Sequence, residues 1–217
     1  MLKIWGRRDG SNVIKALWCL GEIGIEYERI DWGGEFGGND DPEYRAKNPN
    51  GKLPTLELED GYTLWESGAV VRFLCAEHSA GDLCPSGNRE RAAADKWMDW
   101  SSMNFAGFNA VLLGQYFNLP ADKRDPGAVE AAVKQYTPML DILEAHLADR
   151  AYLCGDSLTM ADIPSGSLMH RWLHWIPNPP SHPNVKAWYD RMAARPAYQT
   201  HVIDANAART AALPWRQ

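Results

Sequence analysis

The chain has 217 residues, with 28 acidic against 22 basic side chains and a formal net charge of -6. It carries no basic arm or stripe of the kind that neutralising nucleic-acid phosphates requires. Nothing approaches the roughly 18 apolar residues of a membrane span, and the opening MLKIWGRRDG lacks the apolar centre of a secretory leader, so the expectation is a cytoplasmic protein without nucleic-acid or membrane partners.

Taken in order, LKIW at 2–5 predicts a short strand. The segment 11–23 then places Val13, Ile14, Leu17, Leu20 and Ile23 at helical spacing before Gly24 stops it. Ser11 or Asn12 has the chemistry to cap that helix. YERID at 27–31 predicts a second strand, followed by the glycine-rich GGEFGG at 33–38 and a short helix near 42–47. Residues 48–67, NPNGKLPTLELEDGYTLWES, predict a turn, a strand in TLELE, a hairpin at Asp60-Gly61, a strand in YTL, and a polar pair, Glu66-Ser67, that opens or caps a further helix. The predicted order is β-α-β-α-β-β-α.

Beyond the aperiodic HSAGDLCPSGN only helical patterns appear, at 88–118, 126–149, 160–176, 184–194 and from about 196, interrupted by prolines at 120, 126, 177–183 and 196. An α/β domain over 1–80 and an all-α domain over 87–217 are expected, dividing near residue 82. The chain has ten tryptophans, and those in WMDW, HRWLHW and KAWYD suit packed helices or an aromatic-lined pocket. The four cysteines, Cys19, Cys75, Cys84 and Cys154, have no CxxC or metal-ligand spacing and read as reduced and structural. Thr159 and Asp162 have capping-box spacing, flanked by Leu158 and Ile163 as a hydrophobic staple, which marks a folding signal rather than a catalytic acid. His170 and His174 share a helix face, but no third ligand stands at a recognisable spacing, and no metal site is expected.

The pattern SxVxKAxWxLxExGIxYE starting at Ser11, the turn NPNGKLPTL, the tripeptide WES and SLTMADI near residue 160 occur in this order. Together they resemble the cytosolic glutathione S-transferase family across nearly the whole chain, in its serine-type, theta-like or nu-like bacterial classes. The resemblance implies a thioredoxin-like first domain that binds glutathione, an all-helical second domain that forms a hydrophobic acceptor site, a homodimer, and a role in detoxification. It implies a cis Pro54 that turns the backbone of Leu53 toward the cysteinyl part of the peptide. Glu66 and Ser67 would hold the γ-glutamyl end, Lys52 and Asn39 the glycyl carboxylate, and Asp95 would reach glutathione in the partner subunit. The acceptor pocket falls to Met103, Ala106 and Trp175.

Classes of this family differ in the residue beside the glutathione sulfur. The first strand ends in Trp5 and Gly6, which offers no tyrosine, and Cys19 comes mid-helix, two turns too late for a cysteine-type enzyme. Ser11 and Asn12 are left as catalytic candidates, both able to donate a hydrogen bond at a helix N-terminus, where the dipole also favours a thiolate. Three functions stay open: conjugation of the glutathione thiolate to hydrophobic electrophiles, glutathione-dependent disulfide-bond or peroxide reduction, and a non-catalytic glutathione-binding module. In the first two, glutathione is a co-substrate and no metal takes part.

Overall fold

The computed structural model describes residues 1–216, apart from the side chain of Pro126. Four short strands, β1 (Leu2–Trp5), β2 (Tyr27–Ile30), β3 (Thr55–Glu57) and β4 (Thr63–Trp65), form one sheet in the order β2-β1-β3-β4. β1 runs parallel to β2, with Leu2 opposite Tyr27, and antiparallel to β3, with Ile4 opposite Leu56; β3 and β4 are the hairpin signalled by Asp60-Gly61. Parallel pairing of β1 and β2 requires a crossover, which α1 (Ser11–Ile23) supplies. The short α2 (Pro42–Lys47) precedes β3 and α3 (Ser67–His78) follows β4, completing the expected β-α-β-α-β-β-α order. Leu2, Ile4 and Leu56 of the sheet share a continuous core with Val13, Ile14 and Leu17 of α1 and Val70, Val71 and Leu74 of α3.

The remainder is helical: α4 (Asn88–Leu113), α5 (Pro126–His146), α6 (Asp162–Trp175) and α7 (Pro183–Ala193). A last helical stretch starts as α8 (Pro196–Tyr198), passes through a π-helical turn (Gln199–Ile203) and ends in α9 (Asp204–Ala211). The predicted helix at 88–118 is divided: after Leu113 the chain widens into a π-helical turn, Gly114–Asn118. The YTL strand is shifted by one residue to Thr63–Trp65, because the Asp60 side chain accepts from the Tyr62 backbone N–H and keeps Tyr62 in the turn. No helix among the described residues is long and apolar enough to cross a membrane.

Helix ends depart from expectation in two places. Gly10 is the N-cap of α1, with no side-chain cap bond, so Ser11 and Asn12 occupy the first turn instead of capping it. Glu66 is the N-cap of α3, again without a side-chain cap bond. By contrast, α2 is capped by Asp41, whose carboxylate accepts from the backbone N–H groups of Glu43 and Tyr44.

α6 is the spine that joins the two halves. Gly166 lets it approach α1 closely, since a Cβ there would stand 3.1 Å from the Trp18 ring. Tyr198 packs edge-on against Trp18 and donates to the Gly166 carbonyl at 2.8 Å. Arg195 adds a two-pronged contact to Glu22 of α1. At the start of α6, the fully buried Asp162 accepts from the backbone N–H groups of Leu153 and Thr159 and from the Trp188 indole, each at 2.9 Å. Burial pushes its carboxyl up to about 6, against the pull of those donors. Its work is to tie α6, α7 and the preceding loop together. His170 and His174 both meet the Tyr189 hydroxyl, at 3.0 and 3.1 Å. All four cysteines are free, and the sulfurs of Cys19 and Cys75 lie 3.5 Å apart in the core.

Candidate functional site

The N-terminus of α1 opens on a cavity of about 430 Å³. One wall is the loop carrying Arg7 together with Ser11, Asn12 and Leu53; the other is the end of α4, with Asn109, Ala110 and Leu113, and Asn118 beyond it. The first N–H groups of a helix have no partner within it, so this wall presents donors and a positive dipole end.

Ser11 is held by two long-range contacts. Its Oγ accepts from Asn109 Nδ2 at 2.8 Å and from Arg171 Nη1 at 2.5 Å. A hydroxyl has two acceptor sites and one hydrogen, so with both sites engaged its O–H is left to donate. Asn12 is more exposed, and its Oδ1 accepts from Lys15 Nζ at 3.0 Å, which leaves the amide NH₂ as its outward group. Both hydrogen-bonding cations are buried. Burial pushes Lys15 down to about 8, with repulsion from Arg171 adding to it and Glu66 opposing it. Burial likewise pushes Arg171 down to about 9, so it stays protonated at neutral pH.

The adjoining rim is set by a second group of contacts. The Leu53–Pro54 bond is cis. Just before it, the Lys52 carbonyl accepts from the Tyr44 hydroxyl at 2.7 Å and from Asn48 Nδ2 at 2.8 Å, while both of these side chains also reach Thr55 Oγ1. Buried Tyr44 and Asn48 therefore fix the backbone through this turn, and the Lys52 side chain stays exposed. Asn39 donates to the Gly51 carbonyl at 2.5 Å and bridges the glycine-rich loop to the same turn. Glu66 is the one non-glycine residue with positive φ among those described, at φ 69 and ψ 116. Such a backbone costs on the order of 1–3 kcal/mol and is found where the surrounding structure needs it. Ser67, buried, follows in the first turn of α3.

The three expected acceptor-pocket residues lie outside this cavity. Met103 is 85% exposed and Ala106 is also exposed; neither lines the cavity, whose α4 wall begins at Asn109, one turn further along the helix. Trp175 is fully buried, donates to Thr210 Oγ1 at 2.9 Å and lies over the Arg171 guanidinium, so it is core and not pocket. Asp95 accepts from Arg72 Nε at 2.6 Å within its own chain, and Arg72 also reaches Asp99.

Residues 1–75 match the family model for the glutathione S-transferase N-terminal domain, and residues 110–196 match that for the glutathione S-transferase C-terminal domain. Glutathione S-transferase GstB of Escherichia coli K12 is 35% identical over 208 residues, covering 94% of this chain and 98% of that protein. The chain belongs to the glutathione S-transferase family. Similar to this transferase, too, is the theta class glutathione S-transferase of Xanthomonas axonopodis pv. citri, solved with glutathione bound: the TM-score is 0.87 at 45% identity, with 93% of this chain and 97% of that one covered. Glutathione S-transferase 3 of Zea mays is 31% identical, with 93% of each chain covered. The sheet and its helices are thus the thioredoxin-like domain of a transferase enzyme, and the helical region is the second domain of that fold.

Arg171, Asn109, Asn118 and Arg7 of this transferase also stand at the cavity or against Ser11, and none is among the residues expected from the sequence. Arg171 had a signal: it is a cation within the tryptophan-rich HRWLHW, on a helix whose other residues suit a core, and a buried arginine needs partners. Asn109 had none, since nothing in MNFAGFNAV distinguishes it from any other helix-surface amide.

Proposed function

We propose that this transferase binds glutathione along the rim from Asn39 to Ser67 and conjugates its thiolate to small electrophiles held in the cavity beside α4. The α3 N-terminus, with Ser67, receives the γ-glutamyl carboxylate, and Glu66 pairs with the ammonium. The backbone of Leu53 beside Pro54 meets the cysteinyl part, and Lys52 and Asn39 meet the glycyl carboxylate. The peptide's sulfur then lies at the first turn of α1.

The observation that carries this is the double occupation of Ser11 Oγ by Asn109 and Arg171. It makes Ser11 a donor with one remaining direction, toward the cavity, and rules it out as a base while those contacts hold. A hydrogen bond to a charged group contributes about 1.5–3 kcal/mol, equivalent to roughly one to two pKa units. A free thiol near 8.5 is then drawn to about neutral or below, which suffices to populate the nucleophile without any general base. The thiol proton leaves to water; the thiolate forms a bond to the electrophilic carbon as the bond to the leaving group breaks, and the pair departs with that group. Ser11 is the principal donor, and Asn12, more exposed, is the auxiliary one.

The cavity wall combines Val13, Leu53, Ala110 and Leu113 with Arg7, Asn109 and Asn118. It suits an electrophile with an apolar body and a polar substituent better than a purely hydrophobic one. The same proposal takes the protein as a cytoplasmic homodimer with Asp95 near the partner's glutathione.

Initial rates with glutathione plus a chloronitrobenzene, against glutathione plus hydroxyethyl disulfide, test it. Conjugation is expected. Turnover of the disulfide alone establishes a reductase in its place, and calorimetric binding of glutathione with neither activity establishes a binding module.

A further inference from the structure

Arg171 is a buried cation whose hydrogen-bond partners include no carboxylate. Only 1% exposed, it directs its donors to four neutral oxygens: Nε to Asn206 Oδ1 at 2.9 Å, Nη1 to Ser11 Oγ and to Asn109 Oδ1, each at 2.5 Å, and Nη2 to the Asp9 carbonyl at 3.1 Å. The Trp175 ring covers one face of the guanidinium at 4.7 Å. The carboxylate of Asp9 is taken up by Arg209 at 2.5 Å and by Arg7 at 3.4 Å, and Arg7 also reaches Glu35 at 3.3 Å. Around the first turn of α1, then, Arg7, Lys15, Arg171 and Arg209 face Asp9, Glu35 and Glu66. On its own helix Arg171 is flanked by His170, which burial, His174 and Arg171 itself hold neutral.

A desolvated charge that no carboxylate hydrogen-bonds is costly, and Asp9, the nearest carboxylate acting on it, is itself engaged by Arg209 and Arg7. The charge here stands one hydroxyl away from the cavity. We propose that Arg171 is a positioning residue for the transferase reaction: it pins the Ser11 oxygen as an acceptor, turns the hydroxyl hydrogen toward the glutathione sulfur, and supplies a buried positive charge that helps hold that sulfur as a thiolate. The glutathione thiolate is then a further anion for this charge, and the second domain takes part in activating a thiol bound by the first. This rests on the proposal that the glutathione sulfur lies at Ser11.

The test is a pH titration of the ultraviolet thiolate absorbance of bound glutathione in the wild type, Arg171→Met, Arg171→Lys and Asn206→Asp, with glutathione Kd measured alongside. Asn206 is hydrogen-bonded to Arg171 and to the Val202 carbonyl, not to Ser11. The aspartate therefore cancels the charge while leaving the groups around the sulfur in place. Arg171→Met is expected to raise the bound thiol pKa by about one unit or more, with kcat at neutral pH down roughly tenfold and restored at alkaline pH, and Kd changed less than about threefold. Arg171→Lys is expected to keep most of the depression, and Asn206→Asp to lose it with Arg171 still present. If Arg171→Met does not fold, Asn206→Asp decides. A bound thiol pKa that is depressed in the wild type and unchanged in Asn206→Asp overturns this inference alone. A wild type that binds glutathione without depressing its thiol pKa overturns the proposed function as well.

Discussion

The Arg171 guanidinium on α6 and the Ser11 hydroxyl on α1 are 2.5 Å apart, although 160 positions separate them in the chain. The contact crosses from the helical domain to the α/β domain at the mouth of the cavity. Its geometry depends on the close approach of α1 and α6 at Gly166, five residues before Arg171, so packing between the halves and placement of the Ser11 hydroxyl are one feature of the fold.

Removing the donor should slow turnover without weakening glutathione binding. Ser11→Ala is expected to lower kcat by about 10- to 100-fold, the kinetic equivalent of roughly 1.5–3 kcal/mol of lost charged hydrogen bond, while Asn12→Ala lowers it several-fold at most. Steady-state kinetics with saturating glutathione distinguish the two. The reverse order moves the sulfur contact to Asn12.

At Glu66 a strained backbone and a proposed binding carboxylate coincide. A glycine adopts positive φ without the steric cost that Glu66 bears at φ 69, so Glu66→Gly is expected to preserve or raise thermal stability, by up to about 1 kcal/mol. It also removes the carboxylate proposed to meet the γ-glutamyl ammonium, and glutathione Kd is expected to rise by about tenfold or more. Thermal unfolding and calorimetry on the same variant check both halves; loss of stability with unchanged affinity would place Glu66 in folding only.

Asp162 gives a pH signature of its own. Its carboxyl is pushed from 3.8 up to about 6, so between those values the folded state binds more protons than the unfolded state. Its contribution to stability therefore grows as pH falls from about 6 to about 4, by on the order of 2–3 kcal/mol. Denaturant unfolding of the wild type and Asp162→Asn at pH 7 and pH 4 is expected to show the difference shifting in favour of the wild type at the lower pH. A difference independent of pH would mean that the carboxyl does not titrate in this window.

Ala110 sits in the cavity wall on α4. Ala110→Trp fills space proposed for the acceptor and is expected to raise the acceptor KM by about tenfold or more, the effect of about 1.4 kcal/mol of lost binding, with glutathione Kd unchanged. The same change at Met103, outside the cavity, is expected to leave both constants as they are, and acceptor-saturation curves for the two variants show whether the wall starts where the cavity does.

The first domain was legible in the sequence because its signals are local. Alternation in LKIW, 3.6-residue periodicity from Val13 to Ile23, and the Asp60-Gly61 turn each report on a few neighbouring residues, and the order of elements along the chain follows from them. Ser11 and Asn12 stand out as polar side chains in the first turn of a helix for the same reason. Neither caps the helix, since its N-cap lies one residue earlier at Gly10 and the Ser11 hydroxyl is engaged by Asn109 and Arg171, which lie far away in the chain. Residues whose place depends on tertiary packing were not legible. Met103 and Ala106 carry the same periodicity as Ala110 and Leu113, and only the fold of the first domain decides which part of that stripe faces Ser11. Trp175 illustrates the converse, since an aromatic residue at helical spacing fits a pocket wall or a core equally well until its neighbours are known.

The most direct measurement is the pKa of the glutathione thiol while bound, read from thiolate absorbance in the wild type and in Ser11→Ala. The wild type should bring the bound thiol at least about one unit below its free value near 8.5, and Ser11→Ala should return it most of the way with glutathione still bound. The same bound pKa in both proteins would contradict the assignment of Ser11 as the donor that makes the nucleophile.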